Sequence, residues 1–123
     1  MSLQRSERNM QRIDLHVHTN FSDDGYLTLS ELDKRCQNRR IDTVCITDHN
    51  AIAGAMEATR LNERGVLGIR AIVGEEVTTT QGEIIGLFLK EWIPPQMSLA
   101  DTIKAIRDQG GLVYLNHPFG YGR

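Results

Sequence analysis

The chain has 123 residues, of which 40% are hydrophobic, and a formal net charge of −2. This length and composition suit a single domain with one ordinary core. The slightly acidic balance, without a run of basic residues, gives no general attraction to nucleic acid or to anionic membranes. No apolar stretch approaches the roughly 18 residues needed to span a bilayer, and the polar start has no signal-peptide core, so we expect a cytoplasmic protein without a membrane partner.

The first twelve residues are polar and show no periodicity. We interpret residues 1–12 as a lead-in, with a start that resembles a cloning remnant, and assign the folded domain to residues 13–123. Cys36 and Cys45 lack a C-x-x-C spacing and fall on a predicted helix and a predicted buried strand. They are expected to be reduced packing residues.

From Ile13 onward, β-rich apolar runs alternate with amphipathic stretches. The predicted strands cover residues 13–17, 42–47, 69–77, 83–89 and 112–116. Three helices lie between them, each beginning at a residue able to accept a hydrogen bond from a backbone N–H. Their predicted N-caps are Thr28, Asn50 and Ser98, and the predicted glycine stops are Gly65 and Gly110. Thr28 is followed three positions later by Glu31, the pattern of a reciprocal capping box.

The alternation of strands and helices predicts a parallel α/β fold, in which sites lie at the carboxyl ends of the strands. The connection between the third and fourth predicted strands is an exception to this parallel arrangement. Only residues 78–82 separate the third and fourth strands, whereas a parallel crossover needs a dozen or more residues. These two strands are therefore predicted to form a hairpin, which brings Glu83 back to the rim where the third strand ends.

All four histidines fall where predicted strands end. His16 and His18 are two residues apart, so a strand turns both imidazoles to the same face, within reach of one metal ion. His49 and His117 follow the second and last strands. A single histidine of this kind is more often a hydrogen-bonded structural residue, and only the shared rim favours metal binding over that reading.

The strings DLHVHT, TDHN, GEEVTT, GEIIGLFL and NHPFG closely resemble successive motifs of the polymerase and histidinol phosphatase (PHP) domain. The resemblance runs from about Arg12 to the end of the chain. It implies a distorted (β/α)7 TIM-like barrel, here partial with about five strands, and a metal-dependent phosphoesterase activity. The combination of H-x-H with TDH in this order is the specific part.

Carried over by position, the resemblance assigns His16 and His18 to one metal, His49 to a neighbouring metal, and a bridging role to Glu76 of the G-x-E motif. Glu75 should point away from the site, because successive strand residues alternate in direction. Either Asp23 or Asp24 corresponds to the family's acidic ligand after the first motif. The remaining assignments are His117 as a further ligand, Asp14 and Asp48 as carboxylates that orient imidazoles, and Asp48 with His49 as catalytic residues, Asp48 as proton acceptor.

Two departures from the family pattern are visible. Glu83 stands where many relatives carry a histidine; a carboxylate can still bind the metal and favours harder ions, or it leaves one site weak. The family's late Asp-x-His motif is absent, since the chain stops at Arg123. We expect either a fragment of a longer protein or an unusually short member, and in both cases the outer strands have open edges that a second copy can cover.

The expected function is hydrolysis of a small phosphomonoester or nucleotide by hydroxide generated at two or three divalent cations, Zn, Mn or Fe. No G-x-S-x-G elbow or Walker loop points to another chemistry. The competing interpretation is a binding module, in which an incomplete cluster holds one metal or a phosphate without turnover.

Overall fold

The computed structural model describes residues 13–20 and 28–115, in which five strands and three helices form. The strands are β1 (Ile13–Val17), β2 (Thr43–Ile46), β3 (Arg70–Thr79), β4 (Gly82–Leu87) and β5 (Leu112–Tyr114). The helices are α1 (Leu29–Asn38), α2 (Ala53–Glu63) and α3 (Leu99–Asp108). Each predicted element is present close to its predicted place.

All five strands join one sheet in the order β1-β2-β3-β4-β5. The first three strands run parallel, while β4 is antiparallel to both of its neighbours. The predicted hairpin is therefore confirmed, with Thr79 paired to Gly82 at its closed end. The sheet curls into half of a barrel, in agreement with the partial TIM-like barrel that the family resemblance implies.

The helix caps agree with the sequence at two of three positions. Thr28 and Glu31 form the predicted capping box, and Ser98 accepts a hydrogen bond from the backbone of Asp101. The prediction for Asn50 is wrong. Helix α2 begins at Ala53 without a side-chain cap, because the Asn50 side chain instead forms hydrogen bonds with Thr78 on β3.

Two apolar clusters lie between the sheet and the helices. The first packs Val44 and Ile46 of β2 against α1 and α2, and the second packs Val77 of β3 and Ile84 of β4 against α3. A smaller cluster around Ile85 lies on the opposite face of the strands, since neighbouring strand residues alternate. The helices thus cover one face, and the polar groups of the other face gather at the rim.

Cys36 and Cys45 are both free thiols and both buried, as expected. Burial raises the pKa of Cys45 to about 11 and also raises the pKa of Cys36, so both sulfurs stay protonated.

Among residues 13–20 and 28–115 no helix combines the length and the apolar character needed to cross a bilayer.

Candidate metal centre

The two histidines of the first motif meet Glu76 at the end of β1. His16 Nε2 lies 3.0 Å from His18 Nε2, and Glu76 Oε1 lies 3.1 Å from the first nitrogen and 2.8 Å from the second. The alternation of β1 directs both imidazoles to one side. Glu76 comes from β3, which is not a direct neighbour of β1, so the curl of the sheet is what brings the three atoms together.

A second group of potential ligands lies beside the first. His49 Nδ1 is 3.6 Å from Glu76 Oε1 and 3.5 Å from Glu83 Oε2. His49 follows β2, and Glu83 reaches the same place because the hairpin pairs it with Thr78 at the carboxyl end of β3. The rings of His18 and His49 have centroids 4.4 Å apart, so the two groups form one continuous site.

The donor atoms suit divalent cations. Four ligands held at about 2.0–2.1 Å around a tetrahedral zinc lie about 3.3 Å from one another, close to the separations seen here. Within each group of three residues, the ligand atoms all lie within 4.8 Å of one another. With three ligands per group among the described residues, a tetrahedral cation keeps a position for water, substrate or a further side chain. Imidazole nitrogen with carboxylate oxygen is a donor set that zinc, manganese and iron all accept.

Glu76 is the point where the two groups join. Its Oε1 atom belongs to both, and its side chain is only 2% exposed, whereas the imidazoles of His16 and His49 are about one-third exposed. One carboxylate therefore lies beneath the rings in the position of a bridging ligand. This geometry supports the bridging role that the sequence resemblance implies for Glu76.

Asp48 is buried and ties the first two motifs together. One carboxylate oxygen accepts a hydrogen bond from the Thr19 backbone N–H at 2.6 Å, and the other accepts one from the Thr19 hydroxyl at 2.7 Å. Asp14 accepts a hydrogen bond from the backbone N–H of His16 at 3.1 Å. Asp14 thus contacts the backbone of His16, and Asp48 contacts the residue after His18. Their role in orienting the rings remains a prediction.

Glu75 is excluded from the cluster, as strand alternation predicts. Its side chain is buried on the helix-facing side of β3, where Oε1 accepts a hydrogen bond from the backbone of Ile93 at 2.9 Å. Among the described residues Oε2 has no hydrogen-bond partner. Burial raises the pKa of this carboxyl group to about 7.

Three predicted ligands lie outside the described residues. Asp23 and Asp24 fall between residues 20 and 28, and His117 follows residue 115. Their assignment as ligands therefore remains a prediction from the sequence.

Sequence reasoning missed two residues that support the site. Thr19 directly follows His18, and a hydroxyl next to the H-x-H motif is the pattern that could have suggested a hydrogen bond to a motif carboxylate. Trp92 donates its indole N–H to the carbonyl oxygen of Asn50 at 2.9 Å. This contact joins positions 42 residues apart in the sequence, and no local pattern predicts it.

Comparison with known protein families supports the motif analysis. The sequence model of the family described as PHP domain matches residues 14–115, which is most of the chain. The chain belongs to the PHP family. The match includes both ligand groups described above and the whole of the sheet apart from Ile13.

Three PHP relatives show the range of proteins that this chain resembles. An uncharacterized protein of Methanocaldococcus jannaschii is 40% identical over 118 residues, covering 88% of this chain and 68% of the relative. A protein of Chromobacterium violaceum named 3′,5′-nucleoside bisphosphate phosphatase is 35% identical, covering 80% and 34%. A protein of Haemophilus influenzae named 5′-3′ exoribonuclease is 32% identical, covering 80% and 36%. The chain thus spans about a third of the two named enzymes.

A solved structure shares the fold. A two-domain protein from Bacteroides vulgatus, described as containing a predicted PHP-like metal-dependent phosphoesterase, superposes with a TM-score of 0.73. The two sequences are 24% identical, and the match covers 88% of this chain but 35% of that one. This PHP half-barrel therefore corresponds to part of a larger architecture.

Proposed function

We propose that this chain is a metal-dependent phosphoesterase that hydrolyses a small phosphomonoester or a nucleotide with the help of two or three divalent cations. The observation that carries the proposal is the position of Glu76 Oε1, shared between two three-residue groups. A bridging carboxylate is what a pair of neighbouring cations requires, and paired cations are a common means of phosphoester hydrolysis. Membership of the PHP family supports the same chemistry.

The charges of the site suit a phosphate substrate. A divalent cation, when bound, lowers the pKa of a water ligand and polarises a phosphoryl oxygen. His16, His18 and His49 are neutral donors when they bind metal, so Glu76 and Glu83 supply the negative charge of the two groups. Two divalent cations would leave an excess of positive charge facing solvent, which favours an anionic phosphoryl group.

The two candidate catalytic residues contribute in different ways. His49 is a ligand of the second group, next to the shared carboxylate. Asp48 accepts two short hydrogen bonds from Thr19, which favours a role in holding the β1 loop over the proton-acceptor role suggested by the sequence. A buried carboxylate occupied in this way fixes the backbone beside His18, and preorganised ligands bind metal more tightly.

The names of two relatives support the proposed substrate class. The Chromobacterium violaceum protein is named as a nucleoside bisphosphate phosphatase, which supports a nucleotide substrate for this chain as well. The exoribonuclease name of the Haemophilus influenzae relative weakens the sequence-based expectation of no nucleic-acid partner. A phosphate at the end of a short RNA is therefore the second substrate to test.

The experiment is a metal-dependence assay. The chain is stripped with EDTA, reloaded with Zn²⁺ or Mn²⁺, and assayed with p-nitrophenyl phosphate, adenosine 3′,5′-bisphosphate and a short single-stranded RNA. We expect at least two bound equivalents per chain and turnover of one or more substrates. EDTA, or His18→Ala, should lower turnover by more than about 100-fold, because each removes a metal or one of its ligands.

Lys104→Ala is the control for that assay. Lys104 lies on the exposed side of α3, where it pairs with Asp108 one turn away, and its loss should leave turnover unchanged. One equivalent of metal without turnover would instead support a binding module. No bound metal would contradict both readings.

A further inference from the structure

Asn50 forms more connections than a helix-capping residue would. Its backbone N–H donates to Glu76 O at 2.9 Å, and its carbonyl oxygen accepts the indole N–H of Trp92 at 2.9 Å. Its side chain faces Thr78, where Oδ1 accepts the backbone N–H at 2.8 Å and Nδ2 donates to the hydroxyl at 3.1 Å. Four polar groups of one residue thus join the segment after β2 to β3 and to the loop after β4.

The backbone of Asn50 is held in an uncommon conformation. Its φ angle is 51°, in the left-handed region, which residues other than glycine rarely occupy and which asparagine tolerates better than most. Such a conformation persists only where surrounding contacts over-determine it. The four hydrogen bonds of Asn50 provide these contacts.

These bonds continue the parallel pairing of β2 with β3 beyond the end of β2 at Ile46. Glu76 N–H donates to Asp48 O at 3.0 Å, and Asn50 N–H returns the bond to Glu76 O. The side-chain amide of Asn50 then takes the place of the next peptide group by pairing with Thr78. His49 lies inside this extension, bridged to Glu76.

We propose that Asn50 is a positioning residue, which fixes the imidazole of His49 against Glu76 and Glu83 and so preorganises the second metal-binding group. The first group shares Glu76 with the second but takes its two imidazoles from the end of β1, whereas the side-chain hydrogen bonds of Asn50 go to Thr78 on β3. We therefore expect loss of that side chain to affect the second group more than the first. The inference rests on the metal binding of the proposed function and adds a residue to it that binds no metal itself. Residues that orient metal ligands typically affect affinity by about 10–100-fold.

The test compares metal affinities rather than turnover. Asn50→Gly removes the side chain but keeps the freedom to adopt a positive φ. It therefore tests the side-chain hydrogen bonds to Thr78 and not the backbone strain. Asn50→Asp keeps an acceptor for the Thr78 N–H and tolerates the left-handed region. Zn²⁺ is titrated into each metal-free protein in competition with a chromogenic chelator, and His49→Ala and His18→Ala identify which equivalent belongs to which group.

Asn62→Ala is the matched control. Asn62 also ties segments together through its side chain, donating to the carbonyl oxygens of Leu67 and Ile69 at 3.0 and 2.7 Å. Asn62 lies in the last turn of α2, and its hydrogen bonds hold the segment just before β3, at the end of that strand away from Glu76. Its loss should lower the melting temperature without changing either metal affinity.

We expect Asn50→Gly to weaken the equivalent that is lost in His49→Ala by about 10–100-fold and to leave the other within about threefold. Asn50→Asp should stay within about threefold of the wild type for both. Equal affinities in Asn50→Gly and wild type, or equal losses in Asn50→Gly and Asn62→Ala, would overturn the positioning role while leaving the proposed function intact. A wild-type chain that binds fewer than two equivalents would overturn both.

Discussion

Glu75 and Glu76 are adjacent in the chain but lie in different environments. Glu76 faces the rim, where three imidazoles surround its carboxylate. Glu75 faces the apolar layer under α3 and meets only the backbone N–H of Ile93 among the described residues. Strand alternation alone places Glu76 among the candidate metal ligands and Glu75 among apolar side chains. The two glutamates are therefore expected to contribute differently to metal binding and to stability.

The raised pKa of Glu75 predicts a pH-dependent stability. The folded chain holds this proton up to about pH 7, whereas an unfolded glutamate loses it near pH 4.5. Stability from Glu75 is therefore fully present below pH 4.5, declines as the pH rises through 7, and is constant above. The free energy of unfolding of the wild type minus that of Glu75→Gln should fall by about 1–3 kcal/mol across this window.

Urea unfolding at several pH values between 4.5 and 8, with EDTA present, measures this difference. Glu91→Gln, a change in the exposed loop after β4, controls for the loss of one negative charge. A difference between wild type and Glu75→Gln that stays constant with pH would contradict the assignment of the proton to Glu75.

Much of the candidate site could be predicted from the sequence. The pairing of His16 with His18 follows from the two-residue period of a strand, and the arrival of Glu83 follows from the short connection before β4. The role of Asn50 could not be predicted, because an asparagine before a helix is equally suited to capping it. Asn50 bonds to β3 instead of capping the helix because Thr78, which lies 28 positions away in the chain, pairs with its side chain.

Helix α3 approaches β4 and β5 closely at a glycine. A Cβ atom added at Gly111 would lie 2.9 Å from the carbonyl oxygen of Ile106 and 2.9 Å from that of Leu87. Both are backbone atoms, which a side-chain rotation cannot move. The turn from α3 into β5 therefore requires a residue without a side chain.

Gly111→Ala should destabilise the chain by about 1–3 kcal/mol, since the clash must be relieved by shifting α3 or β4. Gly68→Ala is the matched control, because there the nearest atom is the end of the Gln37 side chain, at 3.1 Å. The control should change the free energy of unfolding by less than about 0.5 kcal/mol. Chemical denaturation of both variants measures the effect, and equal stabilities would refute the packing argument.

The order of the elements could be predicted because most helix boundaries have a local chemical cause. The capping box of Thr28 and Glu31 starts α1, and Gly65 and Gly110, with φ of 76° and 84°, end α2 and α3. The start of α2 could not be found in the same way, because Ile52 occupies its N-cap position without a capping side chain. There the helix begins where packing permits.

The half-barrel presents two outer strands. β1 pairs only with β2, and β5 only with β4, among the described strands. Apolar side chains at these strands are exposed, with Ile13 at 47% and Leu112 at 58%. Exposed apolar strand edges favour pairing with another chain, so we propose that this chain self-associates through them.

Light scattering after size exclusion should give a mass above that of one chain at about 100 μM. Leu112→Lys should shift the mass toward the monomer, because a charge on an edge strand opposes pairing. Val66→Lys replaces an equally exposed apolar residue, at 61%, that lies outside the strands, and should have no effect. A wild-type chain of monomer mass at this concentration would contradict the proposal.

The β3–β4 hairpin has a kinetic consequence. Glu76 and Glu83 are separated by only six residues, and closing so short a loop costs little conformational entropy. Hairpins form in about 1–10 μs, whereas His16 must await pairing between distant segments. We therefore expect Glu76 and Glu83 to come together early in folding, before the imidazole of His16 reaches them.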